Sequence, residues 1–235
     1  MLKQVQHDTR IVFKSGKMVF MNIELALISL AVLVPSVILH EVAHGFVADK
    51  LGDPTARLLK RLTLNPIPHI DPLMSIILPL LLVISGSPVI FGAAKPVPVD
   101  PFNLKEPRKD MALVSLAGPG TNFLIAAIAA LIAHLIFPGA SIIQVLTSSI
   151  LGLVLGLTIT INTSLAIFNL LPIPPLDGSK IFALLLPEDT AKSYMSLGSV
   201  GFFIIFALML FPIGGFSLGS IIGGLVDTAL RLLGF

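Results

Sequence analysis

Across residues 111–176 the chain contains no Asp, Glu, Lys or Arg. Apolar runs this long and this free of charge read as membrane-spanning helices, because a span needs about 20 consecutive apolar residues. The composition agrees, with 55% hydrophobic and only 12% charged residues in 235 and a mean hydropathy of +0.98, far from an ordinary soluble domain. A net charge of +2, with its basic residues scattered, excludes a nucleic-acid footprint. The absence of Cys excludes disulfides and thiolate ligands. Any metal must therefore be held by His, Asp or Glu.

Spans are expected over residues 25–48, 111–137, 142–171, 197–211 and 216–233, the last two separated by the turn Pro212-Ile-Gly-Gly215. Residues 73–91 are apolar but interrupted by Pro79, Gly86 and Pro88. The segment Ala94-Lys-Pro-Val-Pro-Val-Asp100 has prolines at alternate positions, as suits an edge strand or a polyproline segment. In residues 1–20 basic and apolar residues mix without a cleavage-site pattern, so no signal peptide is expected. There, Ser15-Gly16-Lys17 reads as a turn between two short strands. The expected fold is an all-α polytopic membrane protein with about five transmembrane helices, a re-entrant element and short β segments. It divides into a polar or interfacial segment (1–20), a membrane core (21–180) and C-terminal transmembrane helices (181–235).

The first span ends in His40-Glu-Val-Ala-His44. On a helix, positions i and i+4 share a face, so the two imidazoles can bind one ion. Glu41, beside the first ligand, is placed to act as general base on water at that ion, the pattern of a zinc hydrolase. Ionisable groups at membrane depth are functional by default. Pro35 lies near one turn before His40 and bends the helix beside it.

A second constellation, Asn169-Leu-Leu-Pro-Ile-Pro-Pro-Leu-Asp-Gly178, closes the charge-free stretch. A site with two His needs a third protein ligand and an open position, and Asp177 supplies the carboxylate. The prolines stop a regular helix, leaving backbone groups that protein or cavity water must satisfy. Asn169, at the last helical turn, can donate its amide to a substrate carbonyl or a developing oxyanion. His69 and Asp71 form another possible ligand pair, but Asn65-Pro and Asp71-Pro favour a turn. His134, near a helix end, reads as a packed or interfacial residue.

Together with Gly118-Pro-Gly-Thr-Asn122, these motifs resemble the site-2 protease family of intramembrane zinc metalloproteases, over roughly residues 25–180. The resemblance implies that His40, His44 and Asp177 bind one Zn2+ per chain, that Glu41 is the base and that Asn169 contacts the substrate near the scissile bond. It also implies transmembrane protein substrates, drawn from the lipid bilayer of a prokaryotic cell membrane. No stretch is long enough for the PDZ or CBS module of many members. Lys95 and the segment to Asp100 are expected to hold an unwound substrate by strand addition.

For Asp177 to reach His40 and His44, residues 73–91 must enter and return as a re-entrant hairpin rather than cross. The two flanking connections carry four Lys or Arg each, the cytoplasmic signature, whereas the connections at 138–141 and 212–215 carry none. The site is thus expected toward the cytoplasmic side. The alternative function is a transporter or metal permease, which calls for ionisable groups spread over several helices.

Overall fold

The computed structural model describes residues 16–77, 81, 94–211 and 217–235. Helix α1, Gly16–Leu51, runs through Pro35 and stops at Gly52, whose φ of +116° suits glycine. The Asp53 N–H closes the end by bonding to the Ala48 carbonyl at 2.9 Å, a glycine-terminated cap. A short α2, Thr55–Leu58, follows. Helix α3, Pro107–Ile136, carries proline at its first position and Pro119 inside. Then come α4, Ile142–Ser148, and α5, Ile150–Asn169. The chain ends in α6, Asp177–Leu184, α7, Glu188–Ser196, α8, Gly198–Leu210, and α9, Leu218–Leu232.

Helix α3 is the centre, packed against both α1 and α5, which also touch each other. Ala129, Ala130 and Ala133 of α3 meet Val145 of α4, Leu155 and Ile159 of α5 and Leu230 of α9 in a buried core. Small side chains on α3 let its backbone approach its neighbours, which is how helices associate where lipid offers no hydrophobic drive. The outward faces are apolar: Leu27, Leu124, Leu131 and Leu135 are each at least 60% exposed. That is the surface a bilayer solvates.

Three helices are long and apolar enough to cross a membrane, within Glu24–Leu51, Pro107–Ile136 and Ile150–Asn169. A fourth arises if the pair Glu188–Ser196 and Val200–Met209, bent by 69°, counts as one span. The five expected spans are therefore not all matched among the described residues. Helices α8 and α9 have 13 and 15 residues, short of the usual span. The expected helix over 142–171 is broken at Ser149, which is extended and whose hydroxyl accepts from the Gly152 N–H at 3.0 Å, starting a new helix. No strand occurs among the described residues. Residues 18–20, expected as strand, belong to α1, since they run directly into its apolar sequence and a helix needs no pairing partner. The partner segment 11–13 lies outside the described residues.

The described parts of the connection from α2 to α3 are tied to one another. The Lys95 N–H bonds to the His69 carbonyl at 2.9 Å. Arg61, buried, donates to the carbonyls of Lys95 and Pro96 at 2.8 and 3.3 Å. The fully buried Asp53 accepts from the Asp100 N–H at 2.7 Å and the Asn103 amide at 2.9 Å. His69 and Lys95 are thus hydrogen-bonded neighbours. Most of the expected hairpin at 73–91, and the turn at 212–215, lie outside the described residues.

Candidate metal centre

Two stripes interlock to build the site. Ser36, His40 and His44 lie at i, i+4 and i+8 on α1; Val114, Gly118 and Asn122 do so on α3. The helices run antiparallel, so His44 meets Val114 while His40 meets Asn122. The His44 Nδ1–H donates to the Val114 carbonyl at 2.6 Å. His40 Nδ1 lies 2.6 Å from Asn122 Oδ1. Each imidazole thereby turns its Nε2 inward. The two Nε2 atoms are 3.0 Å apart, and the rings meet edge to face at 85°.

Between the stripes Gly118 leaves room. A Cβ there would lie 2.4 Å from His44 Nε2 and 2.5 Å from His40 Nε2. Only a residue without a side chain fits beside these nitrogens.

Asp177 arrives from the other end of the chain. It is the first residue of α6, after the proline-rich loop that ends α5. The loop is held by the Tyr194 hydroxyl, which donates to the Pro172 carbonyl at 2.8 Å. Helix α8 lies so close that a Cβ on Gly201 would overlap the Pro174 carbonyl at 1.7 Å. Asp177 Oδ2 sits 3.2 Å from His40 Nε2 and 3.1 Å from His44 Nε2. Its Oδ1 is 3.3 Å from the Lys180 ammonium. All three residues are buried, and they form the one candidate ligand trio among the described residues.

The trio fits zinc. A tetrahedral ion with ligand bonds of about 2.0–2.1 Å has ligand-to-ligand edges of about 3.3–3.4 Å. The observed edges, 3.0 to 3.2 Å, come within a few tenths of that without any backbone change. Two neutral imidazoles and a carboxylate are a recognised zinc donor set, and orienting hydrogen bonds on Nδ1 are the usual support for such ligands.

A cavity of about 340 Å³ opens over the trio, with Glu41, Val97, Asn169 and Lys180 in its walls. The Glu41 carboxylate accepts the Val97 N–H at 2.8 Å through Oε2. Asn169 donates one amide proton to the Leu165 carbonyl at 2.9 Å and has a second proton to offer. Lys95 is not in the cavity wall. Its backbone N–H and carbonyl are taken up by His69 and Arg61, and Val97, two residues on, makes the contact to Glu41. The His69 Nε2–H donates to the Thr63 carbonyl at 2.9 Å. The Asp71 carboxylate caps a turn by accepting from the Leu73 and Met74 N–H groups. His134 stacks on Phe235 at 4.4 Å. None of these three joins the trio.

The motif Gly118-Pro-Gly-Thr-Asn122 marked Gly118 and Asn122 in the sequence without giving them a role, and Val97 and Val114 were not singled out. A signal for Asn122 was present, since amide side chains are rare in the charge-free stretch. Val114 and Val97 act through backbone groups and leave no trace in side-chain pattern.

Residues 140–212 match the family model described as peptidase family M50. The chain is 36% identical over 200 residues to YwhC of Bacillus subtilis, assigned by name to the zinc metalloproteases, covering 85% of this chain and 88% of that protein. It is 33% identical over 177 residues to Rip2 of Mycobacterium tuberculosis, also so named, covering 75% of this chain and 63% of Rip2. Rip2 of Mycolicibacterium smegmatis is 28% identical over 177 residues, with 64% of that protein covered. The chain thus spans less than two thirds of the Rip2 proteins. No solved structure matches.

Proposed function

The chain belongs to peptidase family M50, the site-2 proteases, and is a zinc-dependent protease; from that premise we propose that it hydrolyses peptide bonds in or near the transmembrane segments of other membrane proteins. The observation that carries the proposal is the meeting of His40, His44 and Asp177 beside Glu41, at one end of helices long and apolar enough to span a bilayer. The transporter alternative is not favoured, because α3 beyond Asp110 and all of α5 lack charged residues to form a pathway.

His40, His44 and Asp177 hold one zinc ion per chain. Bound there, zinc supplies Lewis-acid chemistry that makes water acidic enough to attack near neutral pH. Glu41 takes the proton of the attacking water and delivers it to the leaving amine. The Val97 N–H holds one oxygen of that carboxylate, aiming the other. Asn169 offers its second amide proton to the scissile carbonyl as negative charge develops on oxygen. The substrate helix must be unwound locally before its peptide bond reaches this buried site. The Lys95 and Val97 N–H groups already have partners, so strand addition along residues 95–100 would require Val97 to exchange Glu41 for substrate.

We read α8 and α9 as completing five crossings, with residues 73–91 re-entrant. The bond between His69 and Lys95 supports the second part, because it returns the chain to the end it left. Four Lys or Arg on each side of that excursion favour the cytoplasmic side of a prokaryotic cell membrane. The test is cleavage of a membrane-spanning substrate by the full chain in liposomes, with the cut mapped by mass. A cut in or beside the spanning segment is expected; cleavage confined to a distant soluble loop would refute the intramembrane reading.

A further inference from the structure

Behind the metal trio lies a chain of hydrogen bonds that reaches a third helix. Asn122 of α3 and Asn162 of α5 are both fully buried, as amides seldom are among apolar helices. Asn122 Nδ2 donates to Asn162 Oδ1 at 2.8 Å and to the Ser36 carbonyl at 3.4 Å. Asn162 Nδ2 donates to the Thr158 carbonyl and to Ser36 Oγ, both at 2.9 Å. Ser36 Oγ spends its own proton on the Val32 carbonyl at 2.8 Å.

The direction of this chain is fixed at its far end. The Thr158 carbonyl can only accept, and Ser36 Oγ, its proton used, accepts as well. Asn162 must therefore point its NH₂ at them and its oxygen at Asn122. Asn122 must then point its NH₂ at Asn162, which leaves its oxygen facing His40 Nδ1. An oxygen there admits only a protonated Nδ1. His40 is held as the tautomer whose Nε2 carries the lone pair, as a metal ligand requires. His44 reaches the same state directly, through the acceptor-only Val114 carbonyl.

We propose that Asn162 is a positioning residue for the metal centre: touching neither metal ligand nor cavity, it sets the amide direction of Asn122 and thereby the tautomer of His40. The proposal rests on His40 being a zinc ligand. Helix packing alone would ask only that the two amides be satisfied in some direction; the one-way series from His40 to Thr158 adds information at the ligand.

The test uses the full-length protein with zinc, and with Co2+ as spectroscopic probe. Asn162→Leu removes the nearer of the two acceptors that orient Asn122 and leaves only the 3.4 Å contact to the Ser36 carbonyl, so the Asn122 amide is freed to reverse and present NH₂ to His40. Zinc affinity, measured against a chelator, should fall about 10–100-fold, the usual loss on removing an orienting partner, and the Co2+ absorption bands should change. Asn162→Asp still offers Asn122 an oxygen, whether ionised or protonated, and should keep the affinity and the bands even if the protein melts earlier. Thr163→Val is the packing control. Thr163 is the next residue, is equally buried, and its hydroxyl has no partner. Wild-type zinc affinity in Asn162→Leu, or an equal loss in Thr163→Val, would overturn the proposal. If Asn162→Leu does not fold, ¹⁵N shifts of His40 in the wild-type apo protein at alkaline pH decide instead. Protonation at Nδ1 is expected, and protonation at Nε2 would overturn the proposal. A wild type that binds no zinc would fail the ligand reading itself, a separate result from a zinc-loaded wild type with an indifferent Asn162→Leu.

Discussion

Gly118→Ala places one methyl group against the metal-facing nitrogens. Its Cβ would stand 2.4 Å from His44 Nε2, 2.5 Å from His40 Nε2 and 2.6 Å from His40 Cε1. Van der Waals contact begins at about 3.5 Å, so the overlap is about 1 Å with three atoms together. Metal sites tolerate ligand displacements of about 0.2 Å. The imidazoles cannot simply swing away, because Asn122 and Val114 hold their Nδ1 atoms at 2.6 Å. Opening the site by overpacking costs about 1–3 kcal/mol, which as a coupling energy weakens zinc binding about 5–150-fold. The backbone effect runs the other way, since Gly to Ala inside a helix gains about 1 kcal/mol. Loss of metal therefore cannot be blamed on a weaker helix. Gly120→Ala, two residues on, is the control, for a Cβ there meets nothing within 4 Å. Zinc titration and circular dichroism of both variants in detergent give the answer. Wild-type zinc affinity in Gly118→Ala would refute the placement of α3 against the two histidines.

Three further perturbations test the supports of the site. Gly178→Ala drives a Cβ to 2.0 Å from the Leu170 carbonyl oxygen and 2.6 Å from that of Leu171; these backbone atoms cannot rotate aside, so α6 and Asp177 must shift, and both zinc content and melting temperature should drop. For Asp53, burial works to raise the carboxyl pKa, but hydrogen bonds from Thr55, Asn103 and the Asp100 backbone outweigh it, and the net direction is down. A depressed folded pKa gives stability that is present above the unfolded value of about 3.9 and is lost as pH falls through the folded one. Asp53→Ala should leave buried donors unpaired, cost about 1–3 kcal/mol at neutral pH and flatten the acid limb of thermal stability against pH; an unchanged acid limb would remove this anchor. Because the chain has no Cys, Lys60→Cys and Lys105→Cys can each be labelled singly with an impermeant maleimide in sealed vesicles; both should react from the same face, and reaction from opposite faces would sink the re-entrant reading of residues 73–91.

How much of this was legible beforehand depends on which groups carry the contact. His40, His44 and Asp177 stood out because ionisable side chains are rare beside long apolar runs, and the i, i+4 spacing fixes which two share a face. Gly118 stood out only as the start of the Gly118-Pro-Gly-Thr-Asn122 motif; its role, the absence of a side chain next to a neighbouring helix, is a matter of helix–helix register. Asn162 looked like any polar residue in a span until its partner across the bundle was known. The break at Ser149 escaped a hydropathy window because two serines barely lower the average, yet one hydroxyl suffices to cap a new helix. The partners of the strap around Val97 did not show in the sequence: Arg61, His69 and Asp53 pin it from a loop whose path no periodicity encodes. Lys95 stands at the start of the segment expected to hold substrate by strand addition, and the contact to Glu41 falls on the backbone of Val97 instead.

The central claim, that Glu41 works as a base on water at a zinc held by other residues, is tested most directly by Glu41→Gln. The substitution keeps the shape, and Glu41 is not a member of the ligand trio, so the variant should fold and retain zinc. Cleavage of a membrane-spanning substrate should fall about 10²–10⁴-fold, the usual worth of a positioned acid–base group. His40→Ala should lose zinc and cleavage together, so the two variants fail for different reasons. Zinc content and product formation are measured on the same liposome samples. Zinc retained with cleavage lost is the predicted result; undiminished cleavage by zinc-loaded Glu41→Gln protein would contradict it.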